Sequence, residues 1–572
     1  MPKSAFVFLI PPTCTREVVD LTMNRSSRAG STREGNRICY SCGVRKIHYS
    51  AWRLVFLSAV LQILIFPLSG LYWLSWIAVA PLLIALRRAQ APETLQVDAP
   101  MRLTPASPWQ GFLLAYACGI IWYLGTCYWV FDTMHKYGGL AIPVALLVLI
   151  VACMYMGLYH GMFGLLLALT AGKASQRRAL VLAPFLWVAV ELARTRISAF
   201  PWELLGYAQT DNPALTRLAT LTGVYGLSFE IMLVNSVFAA AFLVTKERRK
   251  WLLAAALAAA ILLQAGQLLS PPAVAADRTA LLVQPNIPAQ EGWTTDYFQG
   301  TLRDLTWISL HPPGAKDGQR FDLIVWPESP SPFFLNDSTF REVVAALARQ
   351  SRTWLLLGAI GVDSASASPQ QRSEVFNSAG LISPDGDLTA RYDKTHLVPF
   401  GEYIPFKRFL PFMDMLTDQI GNFAWGHSRE PLDAGGQPLG VFICYESIFP
   451  DEVRQYVQRG AEVIINLTND GWYGDSGAWK QHLQMTQMRA IENQRWLLVG
   501  TNTGMTVSVD PYGRIVAATG RKFRTALAAP FGLLSSTTFY TRHGDWFAYL
   551  CAIISTGAII TRFLFRTRIP QS

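Results

Sequence analysis

Long apolar stretches separated by short polar connections dominate the first half of the chain. Seven of them, each long enough to cross roughly 30 Å of hydrocarbon, precede residue 271, and an eighth lies near the C-terminus. They cover residues 53–69, 71–87, 109–131, 139–165, 180–197, 221–244, 250–269 and 545–565. The pattern predicts a bundle of eight transmembrane helices. The fifth is the least regular, because Glu191 and Arg194 lie within or beside it.

A different pattern occupies the long connection before the last span, residues 272–540. Apolar, β-rich runs such as "DLIVWPE", "TWLLLGAIGV", "LGVFICYE" and "AEVIINLTN" alternate with helix-like segments such as "STFREVVAALARQSR". Near-continuous apolar strands between amphipathic helices are typical of a layered sheet covered by helices. "SPDGDL" and "DPYGRI" have the turn residues of paired strands. The sequence therefore predicts an α+β membrane protein with one large domain outside its bundle.

Composition supports a membrane protein. The chain has 572 residues, of which 51% are apolar and 15% charged, whereas a soluble domain carries about 25% charged residues. The net charge of +10 does not indicate nucleic-acid binding, because the basic residues stand at the ends of apolar runs rather than in one cluster.

Basic residues also predict the orientation of the bundle. With eight spans, the clusters at 87–88, 173–178, 246–250 and 562–568 and the basic leader all fall on one side, as the positive-inside rule requires. Arg194 and Arg196 are the exceptions. Both termini are then cytoplasmic, residues 51–271 form seven transmembrane helices, residues 272–540 form the external domain, and residues 541–572 form the last helix and a short tail.

Residues 1–50 differ in composition from the rest of the chain and are predicted to be a disordered basic leader without an assigned function. They contain Cys14, Cys39 and Cys42. The pair in "CYSC" has no second pair to complete a zinc site. We expect no metal and no cofactor, since no metal-ligand cluster or phosphate-cradling glycine loop is present in the sequence.

Three polar residues stand where apolar strands of the external domain end. Glu328 closes "LIVWPESP", Lys394 lies in "ARYDKTHLVPFGEY", and Cys444 ends "VFICYES". Strand ends are where α/β folds gather their active sites. Considered singly, each has an ordinary alternative: an exposed turn residue, a solvated charge, or a buried cysteine that fills the core.

The same three motifs resemble the glutamate, lysine and cysteine motifs of the nitrilase (carbon–nitrogen hydrolase) superfamily. "QPNIP", "HLVPFGEYIP", "ICYE" and "NDGWYG", with "FPWELLGYAQ" upstream, resemble the apolipoprotein N-acyltransferase family of Gram-negative envelopes. That second resemblance extends from about residue 50 to the C-terminus.

The resemblance implies an αββα sandwich domain in the periplasm, carried by a bundle in the inner membrane, and a catalytic triad of Glu328, Lys394 and Cys444. It also implies a ping-pong reaction: an acyl chain passes from phospholipid to Cys444, and then to the α-amine of a diacylglyceryl-cysteine apolipoprotein. We expect a monomer. Among supporting residues, the family assigns a second glutamate to the position of Glu402, residues that position the nucleophile to Tyr445 and Glu446, and a tryptophan near the acyl pocket to Trp293.

The chemistry of these residue types agrees with that assignment. A thiol near its usual pKa is mostly protonated at neutral pH, so Cys444 needs a base, and Glu328 can accept its proton. Lys394 can favour the thiolate and stabilise the oxyanion of the tetrahedral intermediate. The apolar stretch at 403–425 suits lipid entry, a partner interface or simply a packed core.

Three other functions are open to a chain with this pattern. A membrane-tethered amidase or nitrilase would use the same triad. A Cys–His protease would need His396 or His482 beside Cys444, but neither lies in a recognisable protease motif. A transporter is weakly supported, because Glu191 is the main ionisable residue within the spans.

The predicted topology also argues against a disulfide bond at Cys444. The other seven cysteines lie in the leader or in the spans, so Cys444 has no predicted disulfide partner in its domain.

Overall fold

The computed structural model describes ten ranges of the chain. They are residues 46–67, 69–91, 103–171, 175–244, 246–288, 294–314, 319–328, 332–363, 374–403 and 423–566. The leader at 1–45, Trp293 and most of the apolar stretch at 403–425 lie outside the described residues.

Helices make up both ends of the described chain and cover the sheets between them. In chain order they are α1 (Tyr49–Leu64), α2 (Ser75–Ala78), α3 (Ala80–Arg87), α4 (Pro108–Thr126), α5 (Trp129–Asp132), α6 (Ile142–Ala171), α7 (Gln176–Ile197), α8 (Ala219–Thr222), α9 (Val224–Leu243), α10 (Lys246–Ala265), α11 (Thr295–Leu310), α12 (Ser338–Ser351), α13 (Pro450–Gln458), α14 (Ala478–Asn493), α15 (Phe539–His543) and α16 (Trp546–Arg566).

Helices lie at all eight positions where spans are predicted, but not all of them are long and apolar enough to cross a bilayer. Within the described residues, four meet that test: Ile142–Ala171, Val224–Leu243, Glu247–Leu268 and Trp546–Leu564. A fifth is added if Pro108–Thr126 and Trp129–Tyr137, bent by 52°, form one span. Three further helices do not meet the test for a membrane span: the short apolar helices Tyr49–Leu64 and Tyr72–Arg87, and the charged α7. The eight-span count stays a prediction.

Glycines allow α4 and α6 to approach closely. A Cβ on Gly164 would lie 2.1 Å from the backbone oxygen of Gly111, and one on Gly119 would lie 2.7 Å from the His160 Cβ. Association of helices in lipid depends on such close backbone contact, because lipid chains remove the hydrophobic drive between apolar helices. Larger residues here would force the two helices apart.

Two six-stranded sheets form the centre of residues 272–540, which keep the name external domain from their predicted position. The strands are β1 (Arg278–Gln284), β2 (Leu323–Val325), β3 (Trp354–Asp363), β4 (Glu374–Ile382), β5 (Leu388–Asp393), β6 (Leu432–Asp433), β7 (Pro438–Ile443), β8 (Val463–Thr468), β9 (Leu497–Thr501), β10 (Val507–Val509), β11 (Ile515–Ala518) and β12 (Thr525–Phe531). Their orders are β12-β1-β2-β3-β4-β5 and β11-β10-β9-β8-β7-β6. In each sheet a parallel centre is flanked by antiparallel strands.

Alternating residues of the first sheet face two different layers. Leu282 and Val325 pack into the core shared with the second sheet, whereas Leu281 and Ile324 pack against helices α11 and α12. The period of two residues in a strand explains this division. Helices α13 and α14 cover the second sheet, so the domain has the helix–sheet–sheet–helix layering that the sequence predicts.

Helix α14 also packs against the bundle. Its residues Met485, Met488 and Ile491 belong to the same buried cluster as the bundle helices. The Arg489 guanidinium donates to the Tyr207 hydroxyl at 2.9 Å, and the Glu492 carboxylate accepts from the Val224 amide at the start of α9 at 3.0 Å. The external domain is therefore docked on the bundle through one of its own covering helices.

The two basic residues that break the charge pattern have structural partners. Arg196, at the end of α7, pairs with Asp451 at 3.0 Å and with the buried Asp545 at 2.7 Å, and so joins the bundle to the external domain. Arg194 is buried in the bundle and donates to the Tyr123 hydroxyl.

We predict that Ile465→Ala destabilises the protein by about 2–5 kcal/mol, because it leaves a cavity on the central strand β8, where Ile465 is fully buried. Thermal unfolding of the full chain in detergent measures the effect. The control is Ile515→Ala on the edge strand β11, which is 41% exposed and should change stability by no more than about 0.5 kcal/mol. Equal losses in the two variants would contradict the layered arrangement of the domain.

Candidate active site

The three residues predicted from strand ends lie at strand ends. Glu328 follows β2, Lys394 directly follows β5, and Cys444 directly follows β7. All three are buried, with 8%, 1% and 7% of their surfaces exposed. β2 and β5 belong to one sheet and β7 to the other, so the residues meet where the two sheets face each other.

A buried ammonium group lies at the centre of this site. Lys394 Nζ is 3.3 Å from Glu328 Oε1 and 2.9 Å from Glu402 Oε1. Asn377 on β4 donates its Nδ2 to the same two oxygens, at 2.8 Å and 2.7 Å. Burial alone would lower the pKa of Lys394, but the Glu402 and Glu328 carboxylates raise it above its usual value, so the ammonium is charged at neutral pH.

The Cys444 thiol is protonated in the resting protein. Burial raises its pKa well above the usual value and the Glu328 carboxylate raises it further, while the Lys394 ammonium lowers it. Asp470 also raises this pKa, and a hydrogen bond with the Thr468 hydroxyl lowers it. A thiol in this environment becomes a nucleophile only when a neighbouring base removes its proton.

Glu446 connects the lysine loop to the cysteine loop. Its Oε2 accepts from the Ile443 amide at 2.6 Å, and its Oε1 accepts from the Thr395 and His396 amides at 2.7 Å and 3.0 Å. The Tyr392 hydroxyl donates to the same carboxylate at 2.7 Å. Glu446 therefore fixes the backbone on both sides of the site.

The ends of the apolar stretch 403–425 are fixed beside the site. The Phe423 amide donates to the Glu402 carbonyl at 3.1 Å, and the Gly426 amide donates to the Lys394 carbonyl at 2.8 Å. The chain thus leaves and returns next to the lysine and its second carboxylate, with residues 404–422 between.

Tyr445 and His396 lie on the side of the site that faces the bundle. The Tyr445 hydroxyl donates to the Ala199 carbonyl at 3.2 Å. The His396 ring stacks on Phe449 with centroids 3.8 Å apart, and its Nδ1 contacts Glu452 Oε1 at 2.9 Å. His396 is therefore engaged with Glu452 rather than with the nucleophile.

His482 is close to the nucleophile, but at its backbone. Its Nε2 contacts the Cys444 carbonyl oxygen at 3.2 Å and the Ser447 hydroxyl at 2.8 Å, and its Nδ1 contacts Asp470 Oδ1 at 3.1 Å. A Cys–His protease needs the imidazole beside the cysteine sulfur. Both ring nitrogens of His482 contact other groups, so the arrangement is not that of a protease.

Aromatic residues connect the site to the bundle. Trp472 packs on the edge of Tyr137 with centroids 5.8 Å apart, and Tyr473 packs on the edge of Trp129 at 5.3 Å. Trp472 is 44% exposed. These ring contacts join the segment after β8 to α5 and the residues that follow it.

Sequence reasoning missed four residues of this site: Asn377, Thr468, Asp470 and His482. Asn377 could have been noticed as a polar residue within the apolar run "VFNSAGLI". Asp470 lies in the motif "NDGWYG", and the sequence suggests His482 only as a protease base. In the described residues, no group of three His, Cys, Asp or Glu side chains is placed to hold a metal ion.

Comparisons with known proteins match both halves of the chain. A family model described as the apolipoprotein N-acyltransferase N-terminal domain matches residues 58–237, and one described as carbon-nitrogen hydrolase matches residues 263–530. A protein named apolipoprotein N-acyltransferase from Geobacter metallireducens is 34% identical over 90% of this chain and 95% of its own. One of the same name from Methylococcus capsulatus is 32% identical over 78% of this chain and 87% of its own. Among solved structures, the nitrilase-superfamily protein Nit3 of Saccharomyces cerevisiae aligns with 44% of this chain and 89% of its own, at 18% identity and a TM-score of 0.35.

We predict that Glu328→Gln and Lys394→Met shift the pKa of Cys444 in opposite directions. Removing the carboxylate lowers the thiol pKa, and removing the ammonium raises it. The rate of iodoacetamide alkylation against pH, followed by mass spectrometry on the peptide containing Cys444, measures both shifts.

The control for this experiment is Glu430→Gln, an exposed carboxylate paired with Arg459, which should leave the alkylation profile unchanged. Shifts of the same sign in the Glu328 and Lys394 variants would contradict the charge arrangement of the site.

Proposed function

The chain belongs to the apolipoprotein N-acyltransferase family, and on that basis we propose that Cys444 carries an acyl group from a phospholipid to the N-terminal amine of a diacylglyceryl-cysteine apolipoprotein. The observation that carries the proposal is the buried Lys394 ammonium, held by Glu328 and Glu402 where one sheet faces the other, with Cys444 at the end of β7 in the facing sheet. This is the reacting set of an acyl transfer: a nucleophile, a base and a fixed cation.

In the first half of the reaction, Glu328 takes the proton from Cys444 Sγ as the sulfur attacks the ester carbonyl of the phospholipid. The Lys394 ammonium stabilises the oxyanion of the tetrahedral intermediate, because its charge is already in place and needs no reorganisation. Collapse of the intermediate breaks the ester bond. The departing alkoxide takes the proton from Glu328 and leaves as a lysophospholipid, with a thioester on Cys444.

In the second half, the neutral amine of the acceptor attacks the thioester carbonyl. Glu328 takes a proton from the attacking nitrogen, Lys394 again stabilises the oxyanion, and the C–S bond breaks. The thiolate recovers the proton from Glu328, and the product is an amide. Glu402 keeps Lys394 in position through both halves by the 2.9 Å contact with Nζ.

Water would hydrolyse the thioester, so the acyl-enzyme needs a dry environment. Burial of Cys444, Lys394 and Glu328 supports this requirement. The exposed aromatic residues Phe400, Trp425 and Trp472 provide apolar surface around the site, where an acyl chain can remain out of water. Trp293 is proposed to contribute to the same apolar surroundings, by the family resemblance alone.

We propose that the protein lies in the bacterial inner membrane, with eight spans, both termini in the cytoplasm and the catalytic domain in the periplasm. The basic clusters support this orientation. Ion pairs and hydrogen bonds from Arg196, Arg489 and Glu492 support a catalytic domain that rests directly on the bundle. A monomer would suffice, because the three proposed catalytic residues come from one chain.

We predict that the purified protein, incubated with phospholipid and no acceptor, gains the mass of one acyl chain on the peptide that contains Cys444. Hydroxylamine should remove that mass, because thioesters are cleaved by it. Cys444→Ala should lower transfer to a diacylglyceryl-cysteine peptide by at least about a thousandfold, because the covalent route is lost.

The matched control is Cys551→Ala, a buried cysteine of α16, which should retain transfer activity. Absence of acyl mass on Cys444 in the active wild type would refute the proposal. Amide hydrolysis without acyl transfer would favour the amidase alternative.

Reporter fusions test the orientation. We expect alkaline phosphatase to be active when it is fused after residue 270 and inactive when it is fused after residue 572, since this enzyme needs the oxidising periplasm. A cytoplasmic fluorescent reporter should give the reverse pattern. Two fusions on the same side of the membrane would rule out the proposed eight spans.

A further inference from the structure

The backbone of the nucleophile adopts a conformation that needs support. Cys444 has φ of 50°, in the left-handed region that L-residues with a Cβ rarely occupy. Such a conformation is strained and persists only when its surroundings fix it. The groups that contact the Cys444 backbone therefore matter for the placement of its sulfur.

Two side chains contact the carbonyl oxygen of Cys444. His482 Nε2 is 3.2 Å from it, and Asn466 Nδ2 donates to it at 3.3 Å. Both side chains are almost completely buried, with 2% of His482 exposed. Neither residue belongs to the triad or to the carboxylates that hold Lys394.

The partners of His482 indicate where its protons lie. The Asp470 carboxylate can only accept, so Nδ1 carries a proton in that 3.1 Å contact. The carbonyl oxygen of Cys444 also can only accept, so the contact with Nε2 is attractive when Nε2 carries a proton. The other group that Nε2 contacts is the Ser447 hydroxyl, at 2.8 Å, which itself accepts from the Thr486 hydroxyl.

The bundle holds His482 from its other side. The Trp202 ring lies parallel to the imidazole, with centroids 6.3 Å apart and an interplanar angle of 6°. The Trp202 Nε1 donates to Oε1 of Gln481, the residue before His482, at 2.9 Å. Gln481 Nε2 in turn donates to the Thr126 carbonyl at the end of α4 at 3.1 Å. The start of α14 is thus fixed between the bundle and the nucleophile.

We propose that His482 is a positioning residue for acyl transfer, holding the peptide that follows Cys444 through its Nε2–H. This peptide is planar, so fixing the Cys444 carbonyl also fixes the direction of the Tyr445 N–H on its opposite side. An N–H fixed one residue from the sulfur is a donor for the oxyanion that forms there. The inference rests on the proposed function and adds a residue that acts through the backbone.

Two substitutions separate the two ends of the imidazole. A glutamine amide at position 482 can reach the place of Nε2, and an asparagine amide can reach the place of Nδ1. We expect His482→Gln to retain the contact with Cys444 and most of the rate of thioester formation. His482→Asn retains only the contact with Asp470 and should lose about 10–100-fold in kcat, because a misplaced reacting group costs that much. KM for phospholipid should be similar in both.

Ser447→Ala is the matched control, because it removes the other contact of Nε2 and leaves the Cys444 carbonyl in place. It should stay within about threefold of the wild-type rate.

Two outcomes would overturn the inference: equal rates in His482→Gln and His482→Asn, or a loss in Ser447→Ala as large as that in His482→Asn. The failure of the proposed function is distinguishable from both, because the wild type itself would then form no thioester.

Discussion

A charged ammonium group enclosed by two carboxylates is the interaction on which the candidate active site depends. Lys394 is 1% exposed, and a cation so far from water is tolerable only when its partners are close and correctly oriented. That requirement fixes Glu328 and Glu402 at once, and through Asn377 it fixes β4 beside them. The same charge then lowers the thiol pKa of Cys444 against the effect of burial. The arrangement that makes Lys394 stable in the core is also the arrangement that acyl transfer needs.

Much of the external domain could be predicted from sequence, because its strands are apolar runs ended by turn residues. Glu328, Lys394 and Cys444 each follow such a run, so their places at strand ends could be predicted, whereas their meeting also depends on how the two sheets pack. Asn377 and His482 could not be predicted in their roles, since a polar residue inside a strand or helix has many possible partners and only the packing of distant segments selects one. The number of membrane spans is also hard to predict from sequence. Helix α7 carries Glu191 and Arg194, whose partners come from a neighbouring turn of the same helix and from another helix, and a measure of hydropathy does not take such contacts into account.

Docking of the external domain depends on the composition of α14. A helix that covers a sheet in a soluble enzyme has a polar outer face. In α14 the outer face carries Met485, Met488 and Ile491, which pack into the bundle, and the buried Arg489 and Glu492, which contact Tyr207 and Val224. Both charged residues are completely buried, so separating the domain from the bundle would expose an apolar surface and break these contacts. Bundle and catalytic domain are therefore expected to fold and persist as one unit.

The fixed ends of the stretch 403–425 have a consequence for how the length of the chain can change. Glu446 holds the lysine and cysteine loops to each other, so neither can change length without disturbing the reacting groups. The two ends of the chain between Glu402 and Phe423 are joined directly, by the hydrogen bond from the Phe423 amide to the Glu402 carbonyl. Closing a longer loop between fixed ends costs little, about 0.6 kcal/mol for each doubling of its length. Insertions and deletions between these two fixed ends therefore cost little stability and leave Glu328, Lys394 and Cys444 in place.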